Sequence, residues 1–226
     1  MKYSISILTI PERRNRAANL QKLTGGNILC DFEYRGSWQN HRRGLEDCQA
    51  PYHLILEDDI RLCNNFLETV NRIAGLFPNN PVSFFNMRYR KNINTKTKRS
   101  GQLYFSGYGV TGQAILYPEH CALSFLKWNS ANIIDDSKHI SCDARRWFWA
   151  SVSGTRIIVT QPNLVEHELP CETTIRTSQN TLGDLRRSGD FIGDLDPLSL
   201  PWEEKSREPI QFYDIASFAG YWERNL

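Results

Sequence analysis

Three consecutive carboxylates, Glu57-Asp58-Asp59, follow directly on the apolar run Tyr52 to Leu56. Like charges packed this closely repel, so the cluster is costly unless a cation or several donors face it. Hard oxygen ligands at the end of a buried strand suit Mg²⁺ or Mn²⁺, and such an ion would in turn hold phosphates. The plain alternative is a solvated turn ahead of the helix that follows Asn64-Asn65. A second signal is an imbalance of charge. No acidic residue lies between Glu68 and Glu119, while that stretch holds Arg72, Arg88, Arg90, Lys91, Lys96, Lys98 and Arg99. Lys and Arg interleaved with Tyr and Asn suit a phosphate backbone and splayed bases. Here too there is a plain alternative, a solvated hairpin.

The elements that must position these groups alternate strand and helix. Tyr3 to Ile10 is β-branched and apolar and stops at Pro11. Glu12 to Leu23 has helical spacing and stops at Gly25-Gly26. Strands are expected at Asn27 to Tyr34, Tyr52 to Leu56 and Pro81 to Asn86. Helices are expected at Trp38 to Cys48 and Asn65 to Leu76. Such alternation with short connections predicts an α/β fold, a mostly parallel central sheet flanked by helices. Ligands bind beyond the carboxyl ends of such strands. Thr9 to Arg14, the region after Tyr34, and Glu57 to Asp59 are therefore the expected rim of a site. Trp38 opens the second helix there and could stack on a base or sugar, or serve as a core tryptophan.

The second half is less regular. Strands are expected at Gln102 to Phe105, Gln113 to Tyr117 and Arg156 to Thr160. Helices are expected at Glu119 to Trp128 and Asp143 to Ser153, the latter burying Trp147, Phe148 and Val152. Thr173 to Arg207 is polar and rich in Gly and Pro, an irregular excursion closed by the aromatic segment Ile210 to Trp222.

Composition narrows the class. The chain has 226 residues, 40% hydrophobic and 23% charged, a globular profile that excludes disorder, collagen and coiled coil. No apolar run approaches the roughly 18 residues of a membrane helix. The short apolar N-terminus runs into Arg13-Arg14-Asn15-Arg16 and fits a buried strand better than a signal peptide. The net charge of +2 does not choose a partner. The six cysteines show neither a C-x-x-C pair nor zinc spacing, which predicts reduced core thiols and a cytoplasmic protein.

Several of these pieces, in this order, resemble the GT-A glycosyltransferases, which use nucleotide-sugar donors. Ser6 to Arg13 looks like the family's first strand and nucleotide loop. Glu57-x-Asp59 is similar to its acidic metal motif, usually Asp-x-Asp. Gly109-x-x-Gly112-x-Ala114 is similar to the glycine-containing strand that lines the donor sugar. Asp143, opening a helix, looks like the acceptor-side acid. Pro162 to His167 looks like the strand that ends in a metal-binding His.

The resemblance implies a GT-A-like domain over residues 1–175, with 176–226 as a C-terminal extension packing on it. It implies Mn²⁺ or Mg²⁺ on Asp59 and His167, and a UDP-sugar as co-substrate. Thr9, Arg13, Trp38, Glu57 and Asp58 would lie on the donor side, with Arg42 or Arg43 as further basic candidates. Asp143 would be the base in an inverting transfer, with Asp135-Asp136 as the competing pair and a helix cap as the alternative for either. A basic rim made by Arg88, Arg90, Lys91, Lys96, Lys98 and Arg99 points to DNA as acceptor, as in phage enzymes that decorate hydroxymethylcytosine. A surface glycan, a protein side chain, an inactive nucleic-acid-binding module and a two-metal nuclease are the other classes considered.

Overall fold

The computed structural model of the chain describes residues 2–85, 102–106, 112–132, 141–168, 188 and 191–204. Its opening strand β1 (Tyr3–Thr9) pairs in parallel with β2 (Asn27–Cys30) on one side and β3 (Tyr52–Glu57) on the other. Between β1 and β2 runs α1 (Arg14–Thr24), entered through a short 3-10 turn at Pro11–Arg13. Proline suits that entry because its fixed φ and missing N–H cost nothing in a first turn. Gly25 ends the helix at φ 71°, a left-handed conformation, and its N–H donates to the Gln21 carbonyl.

The remaining elements are α2 (Ser37–Glu46), β4 (Ile60–Leu62), α3 (Phe66–Leu76), β5 (Val82–Ser83), β6 (Gln102–Ser106), β7 (Ala114–Pro118), α4 (Glu119–Asn132), α5 (Cys142–Ser153), β8 (Ile157–Gln161), β9 (Val165–His167) and β10 (Glu203–Glu204). The main sheet runs β10-β6-β8-β5-β7-β3-β1-β2. Four of its pairings are parallel and three antiparallel, the latter at β3 with β7, β5 with β7 and β6 with β8. The expected α/β class with a mostly parallel, helix-flanked sheet is what the chain forms. Strands β4 and β9 make a separate antiparallel ribbon.

Side-chain alternation along the strands splits the interior into two cores. Leu54 and Leu56 join Ala17 and Leu20 of α1 and Phe66, Val70 and Ile73 of α3. Ile55 joins Trp38 and Leu45 of α2, Phe125 of α4 and Trp149 of α5 on the other face. Leu54, Ile55 and Leu56 are fully buried, each contributing about 1.5–3 kcal/mol of transfer free energy. The next residue in this alternation, Glu57, therefore lies on the face of α2, α4 and α5.

Four expectations change. The strand after Asn27 ends at Cys30, not Tyr34, and the fourth strand shrinks to Val82–Ser83. The buried side of α5 is Cys142, Arg145, Arg146, Trp149 and Ala150, whereas Val152 is 54% exposed. Apolar periodicity misses this because both arginines find partners inside. The segment after 190 is not merely a polar excursion: Ile192, Leu200 and Trp202 enter the first core and β10 pairs with β6. The five described cysteines are free thiols, all but Cys48 buried; Cys171 lies outside the described residues. No helix among the described residues is long and apolar enough to cross a membrane.

Candidate active site

Two groups of carboxylates meet where β3 ends. The first lies between β1 and the small ribbon. Thr9 closes β1 and donates its hydroxyl to Asp58 Oδ2 at 2.5 Å. Arg13, in the turn after β1, reaches back with Nη1 to Asp58 Oδ1 at 3.1 Å and Asp59 Oδ2 at 3.0 Å. The ribbon brings in the distant histidine: Ile60 pairs with His167, and the Glu168 N–H donates to the Asp59 carbonyl at 2.7 Å. His167 Nε2 thereby stands 3.5 Å from Asp59 Oδ2. Burial pushes the Asp58 pKa up, while the Thr9 hydroxyl and Arg13 pull it down.

The second group lies across the strand. Gly112 precedes β7, and a Cβ built on it would stand 3.1 Å from Arg146 Nη2, 3.2 Å from Glu57 Oε1 and 3.4 Å from Asp143 Oδ1. Two carboxyl groups and a guanidinium thus converge on a space that a side chain at position 112 would crowd. Arg146 Nη1 donates to Asp143 Oδ1 at 3.0 Å. Asp143 sits in the first turn of α5, next to the Ser141 N-cap, whose Oγ accepts from the Ala144 N–H at 3.2 Å. Burial raises the Asp143 pKa, against the pull of Arg146 and of the Gly112 backbone. Glu57 is raised further, first by burial and then by Asp59, Asp143 and Asp58.

The other sequence candidates fall as follows. Trp38 is 5% exposed, packed on Phe125 at 5.5 Å between ring centroids with the Arg145 guanidinium 4.8 Å over its ring. That is the packing of a core tryptophan. Arg43 donates to the Cys30 carbonyl at 3.0 Å, and Arg42 pairs with Glu46 at 2.8 Å on the surface. Gly109, Asp135, Asp136 and the basic residues Arg88, Arg90, Lys91, Lys96, Lys98 and Arg99 lie outside the described residues. Sequence reasoning passed over Arg146 and Tyr117. Arg146 stands three residues after Asp143 in a predicted helix, a spacing that places two side chains on one face. Tyr117 gave no such signal, because its partners come from other elements.

No protein-family model matches the chain, and no curated protein matches it. Among solved structures it is similar to a glycosyltransferase involved in the glycosylation of the major capsid of PBCV-1. The two share 14% identity over 69% of this chain and 81% of that chain, with a TM-score of 0.33.

The donor set can be weighed against a divalent ion. Among the described residues no three His, Cys, Asp or Glu side chains gather as a metal-binding group. Asp59 Oδ2 and His167 Nε2, 3.5 Å apart, would offer one oxygen and one nitrogen to an ion placed there. That pair fits Mn²⁺ or Mg²⁺ when water and phosphate oxygens complete the shell, since Mg²⁺ is commonly held by only one or two protein carboxylates. Arg13 adds a positive charge at the same carboxylates.

Proposed function

We propose that the chain is a glycosyltransferase that moves a sugar from a nucleotide donor, a UDP-sugar, to a hydroxyl group. What supports this reading is the pairing of two unlike charged groups at the end of β3: Thr9, Arg13, Asp58, Asp59 and His167 on one side, Glu57, Asp143 and Arg146 on the other. One side has the groups to hold a diphosphate, and the other has a carboxylate able to take a proton.

In the proposed reaction the bond from the anomeric carbon to the diphosphate oxygen breaks. The acceptor oxygen bonds to that carbon, and its proton passes to Asp143. Asp59 and His167 would hold Mn²⁺ or Mg²⁺, which when bound neutralises the departing diphosphate. Arg13 offers positive charge to the same phosphates, an electrostatic contribution placed before the charge develops. Asp58, fixed by Thr9 and Arg13, keeps that arginine in place. Glu57 lies on the sugar side of the donor. A raised Asp143 pKa strengthens it as a proton acceptor.

For the acceptor we favour DNA carrying 5-hydroxymethylcytosine. Its support is the sequence alone: six Lys and Arg between 88 and 99 with no acid among them. The base would have to leave the stack to be reached.

The test is intact-mass analysis of duplex DNA with and without hydroxymethylcytosine, incubated with the protein, Mn²⁺ and a panel of UDP-hexoses and UDP-pentoses. A sugar-sized gain on the modified duplex only is expected. Release of UDP without a gain on DNA would keep the transferase and move the acceptor to glycans or proteins. DNA binding indifferent to UDP and Mn²⁺, with no UDP released, would replace the transferase by a nucleic-acid-binding module. Mn²⁺ dependence is read in the same assay. His167→Ala should raise the Mn²⁺ concentration needed for half-maximal rate by about tenfold or more, as lost ligands and their supports commonly do.

A further inference from the structure

Arg146 is fully buried, and a buried ion pair is by itself weak evidence of a contribution to stability. Replacing a buried ion pair by apolar groups of similar volume is often neutral or stabilising. Two of the partners of Arg146, Tyr117 and Cys142, belong to the second core.

The hydrogen bonds behind Arg146 form a chain. Arg146 Nε donates to the Tyr117 hydroxyl at 2.7 Å. Because a guanidinium has no acceptor, the Tyr117 oxygen must accept there and has its own hydrogen left to give. His41 Nε2 lies 3.2 Å from that hydroxyl, and burial, followed by Arg146, pushes the His41 pKa well down. The imidazole is therefore neutral, and its Nε2 shares a hydrogen bond with the phenol. From α2 through β7 to α5, each group fixes the next. Arg146 Nη2 is held by Cys142 Sγ at 3.3 Å, which leaves Nη1 directed at Asp143 Oδ1 at 3.0 Å. The outcome is an asymmetry within one ion pair: the Arg146 side chain is 0% exposed and that of Asp143 is 35% exposed.

We propose that Arg146, anchored by Tyr117 and His41, is a positioning residue that holds the Asp143 carboxylate over the Gly112 backbone, beside Glu57, in the orientation that takes the acceptor's proton. This rests on the transferase role given to Asp143. The charged and titratable groups facing Asp143 among the described residues are Arg146 and Cys142 on its own helix, Glu57 from β3 and Tyr117 from β7. Of these Arg146 alone carries positive charge. Without it Asp143 would keep only the Gly112 backbone as a stabilising partner and face Glu57 unshielded.

The test uses Arg146→Lys, Arg146→Met and Tyr117→Phe in the full chain, with two readouts. The first needs no turnover: the Asp143 carboxyl is titrated by ¹³C NMR in aspartate-labelled protein, its signal assigned with Asp143→Asn. Asp143 should titrate at higher pH in Tyr117→Phe and higher still in Arg146→Met, with Arg146→Lys between wild type and Arg146→Met. The second is sugar transfer, where kcat should fall about tenfold in Tyr117→Phe and about a hundredfold in Arg146→Met, the range of a displaced general base. The donor KM should stay within about twofold, and the acidic limb of the kcat profile should move to higher pH.

An unchanged Asp143 titration in both Tyr117→Phe and Arg146→Met overturns the proposal, and so does a lowered Tm with the kcat profile intact. Tyr117→Phe loses one oxygen at nearly constant volume, so it decides the matter even if Arg146→Met does not fold. If the wild type transfers no sugar to any acceptor, the transferase reading fails on its own. The titration then still tells whether Arg146 sets the state of Asp143.

Discussion

The two carboxylate groups at the end of β3 are compensated in opposite ways. Asp58 and Asp59 are 4% and 7% exposed, and their cation is Arg13, which is 15% exposed and comes from a turn outside the sheet. On the other side the order is inverted. The cation, Arg146, is sealed in the core, and the carboxylate Asp143 is the open partner. A counter-charge on a surface turn can give way to a phosphate or a metal ion. One locked between helix and sheet cannot, and it fixes whatever it touches. The difference teaches that adjacent residues of one acidic run can be assigned unlike work where a strand ends: Glu57, the last residue of β3, follows the strand's alternation to one side, and Asp58-Asp59, in the turn before β4, face the other.

The comparison breaks most visibly at Asp59. Asp59→Ala should lower transfer about a thousandfold or more, the scale of losing a main electrostatic stabiliser, with a Tm close to wild type. Normal activity in that variant would remove Asp59 from the metal side. Asp143→Asn acts on the other group and should cost about a hundredfold or more in kcat, with Mn²⁺ dependence unchanged. Full activity there would move the base elsewhere or argue for a retaining reaction.

Gly112→Ala sharpens the contrast, because its methyl would enter the space shared by Glu57, Asp143 and Arg146. Overpacking of this kind costs about 1–3 kcal/mol. We expect kcat to drop about tenfold while Mn²⁺ binding, followed by calorimetry in the presence of UDP, stays as in wild type. Ser141→Ala removes the cap of α5 and should lower stability by about 1 kcal/mol, measured by urea unfolding, with a severalfold loss of kcat at most.

The smallest effect is in the pH dependence of stability. The Asp143 pKa is raised in the fold. A carboxyl of that kind holds its proton more tightly when native. Its contribution is full below the unfolded value of about 3.9 and is lost as pH rises through the native value. Stability should therefore fall over that window in the wild type, and the urea midpoint of Asp143→Asn should fall less. An identical slope in both would show that Asp143 is not perturbed by its surroundings.

Most of the scaffold was legible in the sequence. β1, α1, α2, β3, α3, α4 and β8 come within a few residues of expectation, because apolar periodicity and the punctuation at Pro11 and Gly25-Gly26 are local signals. Strand β4 was not, since a three-residue strand carries no period, and β9 was expected only through the resemblance that made Pro162 to His167 a strand. It is the Ile60 to His167 pairing in the ribbon of β4 and β9 that sets His167 beside Asp59. The inward face of α5 was misjudged because a buried arginine looks in the sequence like a solvated one. The contribution of Ile192, Leu200 and Trp202 to the core was hidden by the polar residues between them.

Thus the sequence by itself determined an α/β chain with an acidic run at the carboxyl end of a buried strand, and it marked Thr9, Arg13, Asp59, Asp143 and His167 as residues to watch. Those conclusions rest on residue type, local spacing and family resemblance. Only the tertiary structure decided how the cations facing these carboxylates are held. Asp58 and Asp59 meet Arg13, and Asp143 meets an arginine held from behind by Tyr117 and His41. The physical reason is that the Asp143–Arg146 pair is local to one helix, whereas Tyr117 behind Arg146 and His167 beside Asp59 stand 29 and 108 positions away and come within reach only when the sheet has formed.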